Sequence, residues 1–288
     1  MRRQIISFVG AITIVMMVIP DVAASSHDVT HEDFEAARFS GVGEIDNEWH
    51  PLAPGMQYVL EGTSNASGTP SIHRVSFTVT DLTKEVDGVR TRVLYDVDAD
   101  DGVPSEIELA FQAQDDDGNV WLLGEYPEEY EDGQFTGAPS TWLSQEGVAF
   151  AGVMMREDPR PGSTDYLQGL IESIEFKDLA HIVGFEEVVC VKVGCFQDVL
   201  VIDETNQFVP DEGFQRKYYA RGVGNIKIDF IGGAEQETLE LVSVRKLRST
   251  ELTKVRNAAL RLDRRAYHNA ADVYADSARA VRDRDRHG

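Results

Sequence analysis

The sequence has little positive charge, only two cysteines, and no apolar run after its first twenty residues that is long enough to cross a membrane. Its 27 Lys and Arg residues face 50 Asp and Glu residues, which gives a formal net charge of -23. Such a charge repels phosphate backbones, so we expect no nucleic-acid partner. The 42% hydrophobic content is nevertheless sufficient for one large core, and one main domain is expected.

The usual catalytic motifs are also missing. The sequence has no Gly-x-Ser-x-Gly, no His-Glu-x-x-His, no phosphate-binding loop and no dinucleotide fingerprint. Three histidines that could act as bases stand in no recognisable motif: His50, His73 and His181. The carboxylate pairs Glu128-Glu129 and Glu186-Glu187 leave open a hydrolase that uses paired carboxylates, although an acidic chain produces such pairs by composition alone. We therefore expect a non-enzymatic protein with a structural or ligand-binding role.

The amino terminus has the layout of a secretory signal. Met1-Arg2-Arg3-Gln4 supplies positive charge, an apolar stretch from Ile5 to Pro20 follows, and Val22-Ala23-Ala24 suits a signal peptidase. The predicted signal peptide is residues 1–24, and the predicted location is periplasmic or extracellular. A membrane anchor is the alternative, but the apolar stretch is shorter than the roughly 20 residues that a spanning helix needs.

Cleavage after Ala24 would create a terminus that suits copper. The mature chain would begin Ser25-Ser26-His27, so the free amine, two backbone amides and the imidazole could supply four nitrogens in one plane. Copper(II) prefers that square-planar geometry. The alternative is that an exposed terminus has histidine at its third position by chance, without a role in metal binding.

The cysteines, Cys190 and Cys195, flank Gly194 between two strand-like runs. Cysteines on the two sides of a hairpin turn can face one another, and an exported protein meets no reductant pool. We therefore predict a disulfide between them. A redox-active pair is less favoured, because the spacing is not Cys-x-x-Cys and no βαβ pattern surrounds it.

Most of the chain has the two-residue periodicity of β-strands. One series of predicted strands covers residues 56–60, 73–80, 89–97, 107–113 and 120–126, and a second covers 187–193, 195–203, 214–220, 225–230 and 237–247. Asp-Gly turns separate several of them, as in antiparallel hairpins. So many short strands must curl or close to remove their edges. We predict a mainly β fold: a curved antiparallel sheet or partly closed β-barrel, with a β-sandwich as the alternative.

Helical segments are expected on both sides of this β domain of residues 51–248. Residues 25–50 should form an N-terminal helix, from Thr30 to about Phe39, and a linker. Residues 249–288 should form a basic helical tail, because Ser249 to Arg284 has no Gly or Pro and carries an apolar stripe. The tail's arginines could bind an anionic partner, or they could hold the helix against its own acidic domain.

Two acidic segments are candidates for calcium. Asp96, Asp98 and Asp100 alternate along one predicted turn, and Asp115, Asp117 and Asn119 repeat the pattern in another. The two turns should lie at opposite ends of one strand, so they would form separate sites. The alternative is that these residues are simply solvated turn formers.

Four segments together resemble a known group of proteins. These are the Asp115–Glu125 stretch with its Asp-Gly-Asn-Val-Trp sequence, Trp142, the Cys195–Leu200 strand, and Tyr218-Tyr219-Ala220-Arg221-Gly222-Val223-Gly224. They are similar to a family of uncharacterised exported bacterial β-sheet proteins and, more remotely, to curved-sheet periplasmic proteins of the lipoprotein-carrier type. Arg221 stands where relatives often have proline.

The resemblance implies a fold and no catalytic residues, and it implies that the protein could carry an apolar ligand or lipid. In a curved sheet, an unfilled inner face would be lined by residues such as Leu109, Phe111, Leu122, Phe196, Val199 and Tyr218. The alternative is that these residues pack as an ordinary core.

Overall fold

The computed structural model describes residues 29–41, 43–65, 70–233 and 236–283. Its first strands are β1 (Val29–Thr30), β2 (Met56–Ser64), β3 (Ser71–Val86), β4 (Val89–Asp100), β5 (Val103–Gln114), β6 (Val120–Glu131), β7 (Gln134–Gly137) and β8 (Trp142–Leu143). The later strands are β9 (Phe150–Met155), β10 (Asp165–Ile171), β11 (Phe176–Val191), β12 (Gly194–Asn206), β13 (Phe214–Ala220), β14 (Gly224–Ile231), β15 (Glu237–Lys246) and β16 (Val281–Arg282). The α-helices are α1 (Ser249–Asn269) and α2 (Ala271–Tyr274), and 3-10 turns cover Ala36–Arg38, Glu172–Ile174 and Pro210–Glu212.

Twelve of these strands close into an antiparallel barrel. The ring runs in hydrogen-bonded order from β10 through β11 to β15, then from β2 to β6, and returns to β10 through β9, which pairs with both β6 and β10. The predicted barrel is thus confirmed, and it is fully closed. The closing strand β9 and most of β10 lie between residues 127 and 169, a stretch that was not predicted as strands because it is rich in Gly, Pro and acidic residues.

Helix α1 lies on the outer face of the barrel. Glu108 and Ala110 of β5 border the interior, so the alternate residues Leu109 and Phe111 face outward. There they join one buried core with Leu262 of α1. No helix in the described parts of the chain is long and apolar enough to span a membrane.

Ion pairs fix the tail to this outer face. The Lys84 ammonium of β3, which is fully buried, lies 3.1 Å from Asp263 Oδ1 of α1. Arg256 pairs with Asp81 at 2.6 Å, and Arg265 pairs with a buried Glu128 at 2.5 Å. The opposite charges of tail and barrel therefore hold the helix in place. This agrees with the prediction that the tail's arginines hold the helix against its own acidic domain.

The tail is not one helix from Ser249 to Arg284. Helix α1 ends at Asn269, α2 follows, and β16 pairs with β3. The turn brings Ser277 Oγ within 3.1 Å of the Lys84 ammonium and the Ala278 carbonyl within 2.5 Å of it. The buried Lys84 ammonium needs these hydrogen-bond partners. The free energy gained by supplying them exceeds the helix propensity of the Ala-rich sequence.

The predicted N-terminal helix is also wrong, because the structure has only the 3-10 turn at Ala36–Arg38. The following segment is extended and covers one end of the barrel. Ile45, Trp49 and Leu52 are buried there, and Trp49 is stacked under the guanidinium of Arg221, 4.0 Å from its ring centre. Apolar burial at the barrel end, rather than local helix propensity, decides this segment's conformation.

The hairpin of β11 and β12 carries the disulfide. Cys190 and Cys195 are directly opposite in the strand register, their Cα atoms are 4.0 Å apart, and their sulfur atoms are bonded. The predicted disulfide is therefore present and closes the hairpin next to its turn.

The buried Lys84–Asp263 pair generates a first prediction. Asp263→Asn should lower the free energy of unfolding by about 3–5 kcal/mol, because the buried Lys84 ammonium would lose its counter-ion. The double variant Lys84→Met with Asp263→Asn should recover most of that loss. Urea unfolding at neutral pH measures both.

The matched control is Lys254→Met, which changes an exposed lysine of the same helix and should have little effect. The single variant Lys84→Met completes the comparison. If its loss and that of Asp263→Asn simply add in the double variant, the coupling between Lys84 and Asp263 is contradicted.

Candidate functional site

The barrel encloses a cavity of about 240 Å³. One part of its wall is apolar and comes from β2, β3, β14 and β15; it includes Leu60, Val75, Phe77, Ile228 and Leu239. The part formed by β4, β5 and β6 carries carboxyl groups, among them Asp96, Glu108 and Glu125. The lumen thus combines an apolar wall with an acidic wall.

Strand alternation explains the acidic wall. Asp96 and Asp98 are two residues apart on β4, and Glu106 and Glu108 are two apart on β5, so all four share the inner face. In the register Asp96 stands opposite Glu108, and Asp98 opposite Glu106. Carboxylates directly opposite one another destabilise a sheet, so this wall is not explained by sheet stability.

Glu108 and Glu125 form the centre of the acidic wall. The carboxyl of Glu108 hydrogen-bonds that of Glu125, which also accepts a 3.0 Å hydrogen bond from the indole Nε1 of Trp142. Among the described residues, the other oxygen of Glu108, Oε1, has no hydrogen-bond partner although it is shielded from solvent.

Burial favours the protonated form of these carboxyls. It raises the pKa of Asp96 to about 6, that of Glu106 to about 7 and that of Asp98 to about 9, with repulsion from neighbouring carboxylates adding to the last two. Burial, again with nearby carboxylates, also raises the pKa of Glu108 well above its usual value. Asp96, Glu108 and Glu125 border the cavity, and the side chain of Asp98 is 29% exposed, so the acidic wall is not sealed in the core.

A second cavity of about 300 Å³ lies at the other end of the barrel from the covering segment of residues 43–52. It is bordered by the ends of β2 and β12 and the starts of β11 and β13, including Ser64, Asn206 and Phe214. Lys217 borders both cavities. The lumen is therefore covered at one end by residues 43–52 and has its mouth at the other.

Lys217 is already engaged. Its ammonium lies 2.5 Å from Glu204 Oε2. Desolvation acts to lower the pKa of Lys217, but attraction to Glu204 and Asp178 outweighs it and the pKa is raised. Burial and the charge of Glu204 raise the pKa of Asp178 to about 7. Lys217 therefore forms its ion pair with Glu204, which is not part of the acidic wall.

The three candidate histidines have separate environments. His73 Nδ1 lies 3.0 Å from Asp100 Oδ1, and its Nε2 lies 3.3 Å from Glu237 Oε1. His181 Nδ1 lies 2.7 Å from Asp165. His50 hydrogen-bonds Gln112 at 2.9 Å, and burial lowers its pKa.

The first predicted calcium segment is not a turn. Asp96, Asp98 and Asp100 all belong to β4, which continues to Asp100 because β3 and β5 pair with it. Asp100 instead accepts hydrogen bonds from Ser71 and His73. The turn begins at Asp101.

The second predicted calcium segment does form a turn, between β5 and β6. Asp115 accepts hydrogen bonds from the backbone amides of Asp117 and Asn119 and, at 2.8 Å, from Trp121 Nε1. Asp117 pairs with Arg38. Asp115 therefore organises the turn with its own carboxylate, and calcium binding stays a prediction.

Within the described ranges, no group of three His, Cys, Asp or Glu side chains is arranged to hold a metal ion. The predicted copper ligands Ser25, Ser26 and His27 lie outside the described residues. Copper binding at a mature Ser25 terminus thus also stays a prediction.

The adjacent carboxylates do not form catalytic pairs. Neighbouring residues of a strand point to opposite faces: Glu128 faces the helix, where Tyr126, Tyr130 and Arg265 hydrogen-bond it. The range 186–187 is exposed on the β11–β12 hairpin. The geometry gives the hydrolase alternative no support at these positions.

The residues named for an unfilled inner face pack in the cores, as the ordinary-core alternative predicted. Leu109 and Phe111 pack under α1, and Val199 belongs to the buried core. The residues missed were Asp96 and Asp98 as inner-face groups, Glu106 and Glu108 opposite them, and Lys217. Their signal in the sequence is acidic residues repeated at two-residue spacing on neighbouring strands, which a hairpin register brings together.

The acidic wall generates a prediction about pH. Because the folded-state pKa values of Asp96, Asp98 and Glu106 are raised, the folded protein binds more protons than the unfolded chain between about pH 4 and pH 9. The stabilisation from these groups is complete at low pH and is lost as pH rises through the raised values. The midpoint temperature of thermal unfolding should therefore fall as the pH is raised from about 6 to 9.

Asp98→Asn should flatten that decline and raise the free energy of unfolding at about pH 9 by roughly 1–2 kcal/mol. Asp276→Asn, at an exposed position, is the control and should leave the slope unchanged. A wild-type stability that rises across this range would contradict the protonated acidic wall.

Comparisons with known proteins assign no family. No protein-family model matches the sequence, and no curated protein matches it. A solved Bacteroides fragilis structure, described as an exported protein with a YmcC-like fold, shares 13% identity; the alignment covers 69% of this chain and 100% of that one, with a TM-score of 0.41. A DUF1329 family protein from Desulfovibrio piger shares 10% identity over 77% of this chain and 92% of that one, with a TM-score of 0.26. Both likenesses are too weak to carry an argument about function.

Proposed function

We propose that this protein is an exported carrier that binds a small, largely apolar molecule in the barrel lumen. The observation that supports it most directly is the cavity of about 240 Å³ with its wall of Leu60, Val75, Phe77, Ile228 and Leu239. Helix α1 lies outside the barrel and packs on outward-facing residues such as Leu109 and Phe111. The apolar inner surface is thus available to a ligand.

The size of the lumen suits this role. Ligand sites in proteins typically measure about 300–1,000 Å³ and are mostly apolar with a few polar groups. The inner cavity and the mouth cavity of about 300 Å³ both border Lys217, so a ligand could extend from one into the other. Each buried methylene of such a ligand would contribute about 0.8 kcal/mol.

The barrel mouth carries exposed apolar side chains. Ile72 is 64% exposed, Phe214 44% and Phe230 36%, and all three lie at the strand ends around the mouth. Exposed apolar groups collected in one place usually mark a binding surface. At the mouth they would give an apolar molecule its first contacts, before it passes the polar side chains that also line the mouth cavity.

Export is proposed from the chain's own features. The predicted signal peptide of residues 1–24 directs the chain out of the cytoplasm. The Cys190–Cys195 disulfide suits an oxidising compartment. Periplasmic and secreted forms are both compatible with the proposal.

Filling the lumen should abolish binding. Ala110 borders the cavity, and Ala110→Phe would place a ring in the ligand's volume. We expect N-phenylnaphthylamine, an apolar fluorescent probe, to bind the wild type and to bind this variant at least about tenfold more weakly. Native mass spectrometry of protein purified from its own host should show a retained small molecule in the wild type only.

Ala271→Phe adds the same ring at an exposed position of α2 and should bind the probe as the wild type does. Circular dichroism checks folding, and Leu60→Phe offers a smaller change at the cavity wall if Ala110→Phe does not fold. Equal probe binding by the wild type and the folded filled variant would overturn the proposal.

A further inference from the structure

The acidic wall contains an acceptor that the protein does not satisfy. Glu108 Oε1 is shielded from solvent and meets no donor in the part of the chain that the structure describes. The neighbouring carboxyl of Glu125 is held by Trp142 Nε1 at 3.0 Å and by Glu108 itself. A buried acceptor without a donor destabilises the fold, so this oxygen points to a donor that arrives with a ligand.

The surroundings of Glu108 also have an excess of acidic groups. From β4 it faces Asp96 and Asp98, from its own strand Glu106, and from β6 Glu125. On the other side, Lys217 of β13 borders the same cavity but lies 2.5 Å from Glu204. His50, from the segment that covers the barrel end, hydrogen-bonds Gln112. His73 of β3 lies 3.8 Å from Asp98 but also contacts Asp100 and Glu237, so the acidic wall holds more carboxyl groups than the described cations beside it can pair with.

This wall adjoins the apolar one. Asp96 of β4 is next to β3, which supplies Val75 and Phe77 to the same cavity. A molecule that touches both walls needs a cationic donor at one end and an alkyl or aryl part at the other.

We propose that the molecule carried in the lumen is an alkylamine or a related amphiphile, whose protonated nitrogen donates to Glu108 and Glu125 while its apolar part lies along Leu60, Val75 and Phe77. This inference rests on the proposed carrier function and names the ligand's class. Binding transfers no group: the ammonium forms charge-assisted hydrogen bonds, and a proton held by the Glu108–Glu125 pair leaves to solvent.

An amine fits the site better than a metal ion. The described His, Asp and Glu side chains form no group arranged as metal ligands, and a divalent ion would leave the adjoining apolar wall empty. A fatty acid fits worse, because its carboxylate would add one more acidic group to a wall that has several and would bring no cation to them.

The experiment compares three ligands with the same chain and different head groups: octylamine, octanol and octanoate. Each displaces N-phenylnaphthylamine from the full-length mature protein at neutral pH. Octylamine should bind at least about tenfold more tightly than octanol, and octanoate should bind most weakly. Calorimetry of octylamine in two buffers of different ionisation enthalpy should show proton release.

The variants Glu108→Gln and Glu125→Gln remove the charge and keep the shape. Each should weaken octylamine by at least about tenfold and leave octanol within about twofold. Glu131→Gln, an exposed position of β6, is the matched control and should change neither affinity. The ligand comparison on the wild type remains decisive if a variant does not fold.

The outcomes separate the two proposals. If the probe and all three ligands fail to bind, the carrier function fails and this inference with it. If octanol or octanoate binds as tightly as octylamine, the carrier function stands and the amine is wrong. Calcium that binds with measurable heat and displaces octylamine would also overturn the amine, because the acidic wall would then be a metal site.

Discussion

Closure of the sheet through β9 is the constraint on which the rest of this structure depends. Barrels of about eight strands are just wide enough for their own side chains to fill, whereas this ring has twelve. The additional strands widen the interior beyond what the inward side chains occupy. A lumen follows from the strand number, and the cover formed by residues 43–52 decides which end of it is shielded.

A wide ring also explains why α1 is outside. Its apolar stripe packs on outward residues of β3 and β5, where Leu109 and Phe111 would otherwise face water. The buried Lys84–Asp263 pair gives this packing a specific register, since a cation without solvent requires its partner in one place. The basic tail therefore completes the outer layer, while acidic residues remain at the inner one.

Local sequence signals predicted the hairpins well and the closure poorly. The Asp-Gly turn at Asp87-Gly88 has the left-handed backbone that such turns require, and Cys190 faces Cys195 as expected. Strands β9 and β10 were missed because their neighbourhood is rich in turn-forming residues, and only pairing with β6 and β11 makes them strands. Ring closure is a long-range event that no local pattern contains.

The acidic segment of β4 shows the same limit at the site. Aspartate is a poor strand former, so the run from Asp96 to Asp100 was interpreted as a turn with calcium ligands. Pairing with β3 and β5 overrides that propensity and turns the alternate carboxyls inward. The alternating carboxyls predicted a calcium site, which stays a prediction, and the sequence did not reveal that Asp96 shares a cavity with the apolar strands across the lumen.

An inward acidic wall makes the empty barrel less stable than its sheet allows, and this ties occupancy to stability. The opposed carboxyls of β4 and β5 must be protonated or neutralised, and burial with mutual repulsion raises the pKa of Asp98 to about 9. Any cation that binds the folded lumen and not the unfolded chain stabilises the fold by mass action, by about 2.7 kcal/mol at a hundredfold excess over its Kd. The opposition of Asp98 to Glu106 and of Asp96 to Glu108 weakens the sheet when no cation is bound. Such a loss of stability is expected where a residue pattern serves binding as well as folding, as the proposed amine site would require.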